Sequence, residues 1–350
     1  MRFILPLLLL LCAADLQAAD RKLVIAHRGA SGYLPEHTLE GKALAFAMGA
    51  DYLEQDVVMT RDDQLIVMHD LTLERTTDVA TVFPGRQRKD GSFYVVDFTL
   101  AELRRLNVHE GTNVVNDKPQ AIFSQRFPID RGTFRLHTLQ EEIELVQGLE
   151  KSTGRKVGIY PELKSPWFYH QHGKDLARAV LTVLKQYGYT TKDAPVYLQT
   201  FDHHELLRVR NQLFPEFGMQ LKLVQLIADN DWNETFEQDQ DGNWQPYDYR
   251  WMLTPAGMQQ LGREADGIGP EWDMLLEPFD QNAKSVKPNG LTAAAHQAGL
   301  QVHPYTFRKD AGQLPAFAAS LQQFIHYFLF DVGVDGVFTD YTDIGVAAAR

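Results

Sequence analysis

Two acidic residues spaced two apart on a β-strand point to the same face of it. Glu54 and Asp56 form such a pair within the apolar run DYLEQDVV, residues 51–58. Burying two like charges side by side is costly unless a cation accompanies them. A third acid, Glu162, comes near the end of another apolar run, KVGIYPEL, residues 156–163. Three carboxylates without a thiolate suit a hard divalent cation bound through oxygen, Ca²⁺ first and Mg²⁺ as the alternative. The competing arrangement pairs the same carboxylates with basic side chains, and Arg28 and Lys164 are available for it. Lys164 shares a face with Glu162 and would neutralise one charge or contact an anionic ligand.

Proton transfer near neutral pH asks for a group that titrates there. His27 ends the run KLVIAH (22–27) and His69 ends QLIVMH (64–69). A lone histidine at a strand end is more often structural. Two of them, with the Glu54/Asp56 pair between them in sequence, point to general acid–base work. The stretch VIAHRGASGYLPEHT (24–38) sets Arg28, Glu36 and His37 around a glycine-containing turn. His203 and His204 read as surface residues at a helix start, with Asp202 as the N-cap. His170 and His172, in FYHQHG, read as structural or peripheral.

These residues need elements to bring them together. Short apolar runs recur at 22–27, 51–58, 156–163, 195–201, 221–227, 265–270, 300–306 and 335–340. From residue 156 onward they alternate with segments long enough for helices, such as LARAVLTVLKQYG (176–188) and GLTAAAHQAGL (290–300). Such alternation predicts parallel strands in an α/β fold, and eight units fit a (β/α)8 TIM barrel. QLIVMH follows its predecessor too closely for a helical crossover and reads as a hairpin partner. Residues 76–136 break the rhythm with RQRKDGS, EGTNVVNDKPQ and RFPIDRGTF, and read as a functional insertion after that hairpin. HTLQEEIELVQGL (137–149) resumes a helix, and residues 229–251 form a second polar excursion. In a closed parallel barrel the C-terminal strand ends share one mouth, where barrel enzymes work. Gln199, Gln225, His303, Tyr305 and Asp340 also fall late in their runs and are expected there.

The chain begins MRFILPLLLLLCAADLQAAD, with a basic start, an apolar stretch and a small-residue exit. That is the pattern of a cleaved signal peptide, here residues 1–19, leaving 20–350 as one barrel domain of an exported, periplasmic protein. Cys12, the one cysteine, falls in that leader, so disulfides and thiolate sites are not expected in the mature chain. No later run suits a membrane span. The formal charge of −12 and the lack of a Lys/Arg block argue against nucleic-acid binding. A homodimer is left open.

HRGASGYLPEHT, GADYLEQDVVMTRDDQLIVMHD, YPELKSPW, YLQTFD, VHPYT and DGVFTD together resemble the glycerophosphodiester phosphodiesterases, most of all the periplasmic branch of Gram-negative bacteria. The resemblance covers about residues 23–345. It implies a TIM barrel with an insertion after the HD motif. It also implies metal-dependent hydrolysis of glycerophosphodiesters, such as glycerophosphocholine and glycerophosphoethanolamine, to sn-glycerol 3-phosphate and an alcohol. By motif, the metal ligands would be Glu54, Asp56 and Glu162, and the acid–base pair His27 and His69. Arg28 and Lys164 match the phosphate-facing positions, and Glu36 the acid of the PE motif, close to the metal and the first histidine. Gln199 and Tyr305 would support this site from the mouth. Two features depart from the commonest pattern: His37 stands where many members have Asn, as in the periplasmic branch, and Tyr341-Thr342 replaces Phe-Pro after Asp340. His37 is assigned no catalytic role. The rival readings are a related phospholipase D-type enzyme, which would need an apolar membrane-facing rim, and a two-lobed binding protein without catalysis.

Overall fold

Strands buried on both faces read as unbroken apolar runs, because helices cover one side and the barrel interior the other. The computed structural model describes residues 21–115 and 118–350 and follows this rule; the leader, residues 1–19, lies outside the described residues. In chain order the strands are β1 (Leu23–Ala26), β2 (Tyr52–Met59), β3 (Leu65–Val67), β4 (Thr112–Val115), β5 (Lys118–Ala121), β6 (Gly158–Leu163), β7 (Tyr197–Thr200), β8 (Lys222–Ile227), β9 (Phe236–Gln238), β10 (Trp244–Pro246), β11 (Gly267–Pro270), β12 (Gln301–Val302) and β13 (Gly336–Thr339). Eight of them run parallel in the order β12-β11-β8-β7-β6-β2-β1-β13. The seam between β12 and β13 is stitched by Asp335 N–H to Val302 O and Phe338 N–H to Pro304 O, both at 3.0 Å. The result is a nearly closed (β/α)8 barrel, with β3 paired antiparallel to β2 as the hairpin partner.

The helices start where the sequence supplies caps. Thr138 and Glu141 form a capping box for the helix Leu139–Thr153, and Asp202 caps His203–Arg208 by accepting from Glu205 N–H. The expected insertion is more ordered than its composition suggests. It carries short helical turns, the β4–β5 hairpin and a buried apolar set that includes Val95, Phe98, Leu103 and Leu106. The polar excursion after β8 folds as the β9–β10 hairpin.

Two residues expected at the mouth are elsewhere. His303 sits inside the barrel with Tyr160, Tyr197 and Phe338; its Nδ1 lies 2.9 Å from the Tyr160 hydroxyl. Gln225 turns away from the mouth, donating to the carbonyls of Phe201 and Leu226 at 3.0 and 2.9 Å. Successive strand residues face opposite ways, so lateness in a run does not by itself place a side chain at the mouth.

Burial lowers the His303 pKa from 6.5 to about 4. An unfolded chain takes up that proton near pH 6.5, so the folded state loses stability as pH falls from 6.5 towards 4. His303→Gln should therefore lose less stability than wild type between pH 7 and pH 4.5, by roughly 2–3 kcal/mol. Urea unfolding at the two pH values reads this; equal losses would count against it.

Candidate active site

The mouth of the barrel holds a cavity of about 270 Å³ lined by His27, Glu54, Asp56, His69, Glu162 and Lys164, with Arg28, Gln199 and Tyr305 also on its walls. Period-two alternation on β2 turns Glu54 and Asp56 to the same side, and the parallel register sets Asp56 beside Glu162 of β6. All three carboxylates are buried. Glu54 Oε2 accepts from the Arg28 backbone N–H at 2.5 Å. That N–H is aimed by a left-handed backbone at Arg28, φ 57°, a conformation that costs a non-glycine residue about 1–3 kcal/mol and is typical of functional sites. Glu162 pairs with Lys164 at 2.9 Å. Asp56 Oδ2 lies 2.7 Å from His37 Nε2 and 3.6 Å from Arg28 Nε.

Electrostatics divide these acids. Burial and the neighbouring Asp56 charge push the Glu54 carboxyl well above its usual range. Burial likewise raises Glu162 to about 8, although Lys164 opposes the shift. Burial works against ionisation of Asp56 too, but His69, His37 and Lys164 outweigh it and hold the carboxyl well below its usual range. A site in which buried carboxylates resist ionisation suits a bound cation, and an all-oxygen set suits a hard divalent one. The residues present thus fit such an ion. Among the described residues, the donor atoms of His37, Glu54 and Asp56 lie within 4.8 Å of one another, a set that differs from the expected trio by including His37 and not Glu162. His37 is therefore part of the acid cluster, which the sequence reading had not assigned. Its own left-handed backbone, φ 54°, accompanies the placement of its ring on Asp56.

Each of the two histidines at the mouth rests on an aspartate. His27 Nδ1 lies 2.6 Å from Asp340 Oδ1, and His69 Nδ1 2.5 Å from Asp70 Oδ1. A neutral imidazole that donates from Nδ1 presents Nε2 as the acceptor. Burial, then Arg28, holds the His27 pKa down to about 4; burial with Arg28 and Lys164 lowers that of His69. His69 Nε2 is 3.4 Å from Lys164 Nζ. The aspartates are held in turn. Asp70 bonds Arg75 Nε, and Arg75 also grips Glu36, with Nη2 to Oε1 at 2.5 Å. Glu36 lies 3.0 Å from Arg28 Nη1 and so links the two halves of the site through guanidinium groups. It lines a side cavity of about 200 Å³ next to the main one, with Arg28, Arg75, Glu110 and Arg126.

Gln199 Oε1 is buried on the cavity wall with no hydrogen-bond partner among the described residues, and the Tyr305 hydroxyl donates to Ile227 O at 2.7 Å. Gly32 is needed for a close approach: a Cβ there would lie 2.5 Å from the Tyr341 ring. His203 is buried and paired with Glu264 at 2.8 Å, which corrects its reading as a surface residue; His204 is exposed, as expected. His170 and His172 do not line the mouth cavity. The His69-Asp70 adjacency is the one local signal for the role of Asp70; no local pattern marks Arg75, Arg126, Trp232 or Glu234, which the structure brings to the site.

The fold and this cleft define a (β/α)8-barrel hydrolase. The chain belongs to the glycerophosphoryl diester phosphodiesterase family, which it matches over residues 27–344, and its activity is that of a glycerophosphodiester phosphodiesterase. It is 52% identical to the glycerophosphodiester phosphodiesterase of Haemophilus influenzae, covering 95% of this chain and 91% of that one. It is 44% identical to that of Treponema pallidum, covering 94% and 92%. Among solved structures, a putative glycerophosphoryl diester phosphodiesterase of Silicibacter pomeroyi shares the fold with a TM-score of 0.65 at 24% identity, over 95% and 94% of the chains. An Oleispira antarctica phosphodiesterase, solved in complex with the product sn-glycerol 3-phosphate, matches with a TM-score of 0.58 at 21% identity, over 95% and 98%.

Buried carboxylates that resist ionisation should make the fold sensitive to divalent ions. A divalent cation that this cluster binds, calcium being the first tried, should stabilise metal-free protein by about 2.7 kcal/mol at a hundred times its Kd. Glu54→Gln should remove most of that increment; thermal unfolding with and without calcium measures it, and an unchanged increment in the variant would exclude Glu54 as a ligand.

Proposed function

We propose that the mouth cavity hydrolyses glycerophosphodiesters such as glycerophosphocholine and glycerophosphoethanolamine to sn-glycerol 3-phosphate and the free alcohol, with a divalent cation and with His27 and His69 as the proton-transfer pair. The observation that carries this reading is the pair of imidazoles, each with Nδ1 fixed on an aspartate, lining one cavity with three buried carboxylates and two cationic side chains. The product complex of the Oleispira antarctica phosphodiesterase supports the choice of product.

Glu54, Asp56 and Glu162 would hold the cation, with His37 orienting Asp56. Ca²⁺ is the first choice for an all-carboxylate set and Mg²⁺ the alternative. When bound, the cation supplies Lewis-acid polarisation of a phosphoryl oxygen and offsets the charge of the acids. Arg28 and Lys164 line the cavity and bind and orient the phosphodiester. One imidazole Nε2 takes the proton of the attacking oxygen as the new P–O bond forms, with water attacking directly, or with the neighbouring glycerol hydroxyl attacking first and water then opening the cyclic phosphate. The other gives a proton to the alcohol oxygen as the old P–O bond breaks. With both rings held largely neutral by burial, the proton donor must gain its charge as the anion binds. Gln199 and Tyr305 bound the pocket, and Glu36 keeps Arg28 oriented.

The apolar leader supports export to the periplasm with residues 1–19 removed. Among the described residues no helix is long and apolar enough to cross a membrane.

Three measurements test the proposal. Incubation with glycerophosphocholine should release glycerol 3-phosphate, EDTA should stop the release, and calcium should restore it; tight binding without release would favour a carrier. His27→Ala and His69→Ala should each lower kcat by on the order of 10²–10⁴-fold with the metal still bound. Near-normal turnover in either variant removes that histidine from the mechanism.

A further inference from the structure

Asp340 stands between His27 and the insertion. Its Oδ1 holds His27 Nδ1 at 2.6 Å, while its Oδ2 is 2.5 Å from Arg126 Nη2 and 3.0 Å from Arg308 Nε. Arg126 belongs to the insertion, 214 residues from Asp340 in sequence, and its side chain is 5% exposed. It is not a loose counter-ion. Nε and Nη2 fork onto Asp310 at 3.0 and 2.7 Å, and Nη1 donates to the Ser31 carbonyl at 3.2 Å. Ser31 Oγ in turn donates to the His27 carbonyl at 2.8 Å. One guanidinium therefore grips both the carboxylate that orients the ring and the turn that carries it. A planar fork fixes direction as well as charge, which an ammonium does not.

We propose that Arg126 is a positioning residue for His27: through Asp340 and the Ser31 turn it fixes the imidazole with Nε2 towards the cleft, so that the insertion completes the catalytic site of the barrel. This rests on the assignment of His27 to proton transfer. A barrel alone supplies His27, Asp340 and Arg308; the insertion adds a second cation on Asp340 Oδ2 that also grips the Ser31 turn. A misplacement of about 1 Å at such a position can cost on the order of 10²-fold in rate.

The charged groups facing His27 are Arg28 on its own turn, Asp340 at the end of β13, Arg308 on the loop after β12, and Arg126 beyond Asp340. Glu110, 4.0 Å from Arg126, and Asp310 lie behind them. Removing Arg126 takes away a positive charge and leaves Asp340 less neutralised, so protonation of His27 becomes easier.

The test is steady-state hydrolysis of glycerophosphocholine from pH 5 to pH 9 by wild type, Arg126→Met, Arg126→Lys and Asp310→Asn, with calcium saturating. Wild-type turnover checks the functional reading in the same assay; its absence would fail that reading, whatever the variants do. Given turnover, Arg126→Met should lower kcat by on the order of 10- to 100-fold with KM changed less than about threefold. The limb of kcat/KM that His27 sets, the acid limb if it is the base and the alkaline limb if it is the acid, should move to higher pH by about one unit. Arg126→Lys, which keeps the charge without the fork, should hold the limb near wild type while kcat falls partway. A purely structural role lowers Tm and the active fraction but leaves the limb and the kcat per active site unchanged, and that result overturns the proposal. If Arg126→Met does not fold, Arg126→Lys and Asp310→Asn decide: reduced kcat per active site supports it, and wild-type kcat in both overturns it.

Discussion

Glu54 and Asp56 repel each other on one face of a buried strand, and much of the surrounding structure keeps them from moving apart. Gln55, between them, points the opposite way, into a polar network behind the strand. Its Nε2 donates to Glu142 at 2.7 Å and its Oε1 accepts from Tyr160 N–H at 3.0 Å. Lys42, fully buried, donates to the Glu54 carbonyl and pairs with Glu142 at 2.9 Å, while His137 holds the other Glu142 oxygen at 2.7 Å. Two covering helices and the next strand are thus tied to the backbone of the residue whose side chain enters the cavity. Such a network pins geometry through its shared bonds, although one atom in it, His137 Nδ1, has no hydrogen-bond partner among the described residues. Here the pinned geometry keeps like charges together, which is the condition for holding a cation.

The same logic extends outwards through alternating charge. Acids face arginines, and those arginines face further acids: Asp56, Arg28, Glu36, Arg75, Asp70 on one side, and Asp340, Arg126, Asp310 on the other. Each histidine at the mouth terminates one of these chains. The two chains reach the barrel from different parts of the protein, which is why the insertion belongs functionally to the site although it contributes no barrel strand.

What could be read from sequence follows from how local the cause is. The barrel was legible because parallel strands buried on both faces leave unbroken apolar runs, and Glu54 and Asp56 were legible because two-residue spacing fixes a shared face. His27 and His69 were legible as strand-end histidines. The Asp340 partner of His27, 313 residues away, was not, nor was its link to Arg126 from an irregular segment. His37 was underrated because its ring reaches Asp56 only through a backbone turn that sequence spacing does not reveal. His303 and Gln225 were misplaced for the opposite reason: their runs were right, but pleating sends alternate residues inwards or towards the helices rather than to the mouth.

The acidic balance of the chain, −12 overall, works against an anionic substrate at long range. The site shows how a local arrangement overrides the total. Arg28 and Lys164 are anchored by carboxylates rather than left to solvent, so their charges stay at the cavity when no substrate is there. Anchoring does not exhaust them, because a guanidinium has five N–H groups to distribute. An anion entering this cleft meets donors already oriented, in a low-dielectric pocket where each contact counts for more than it would in water. The acids around it are therefore what hold the cationic groups in place to receive it.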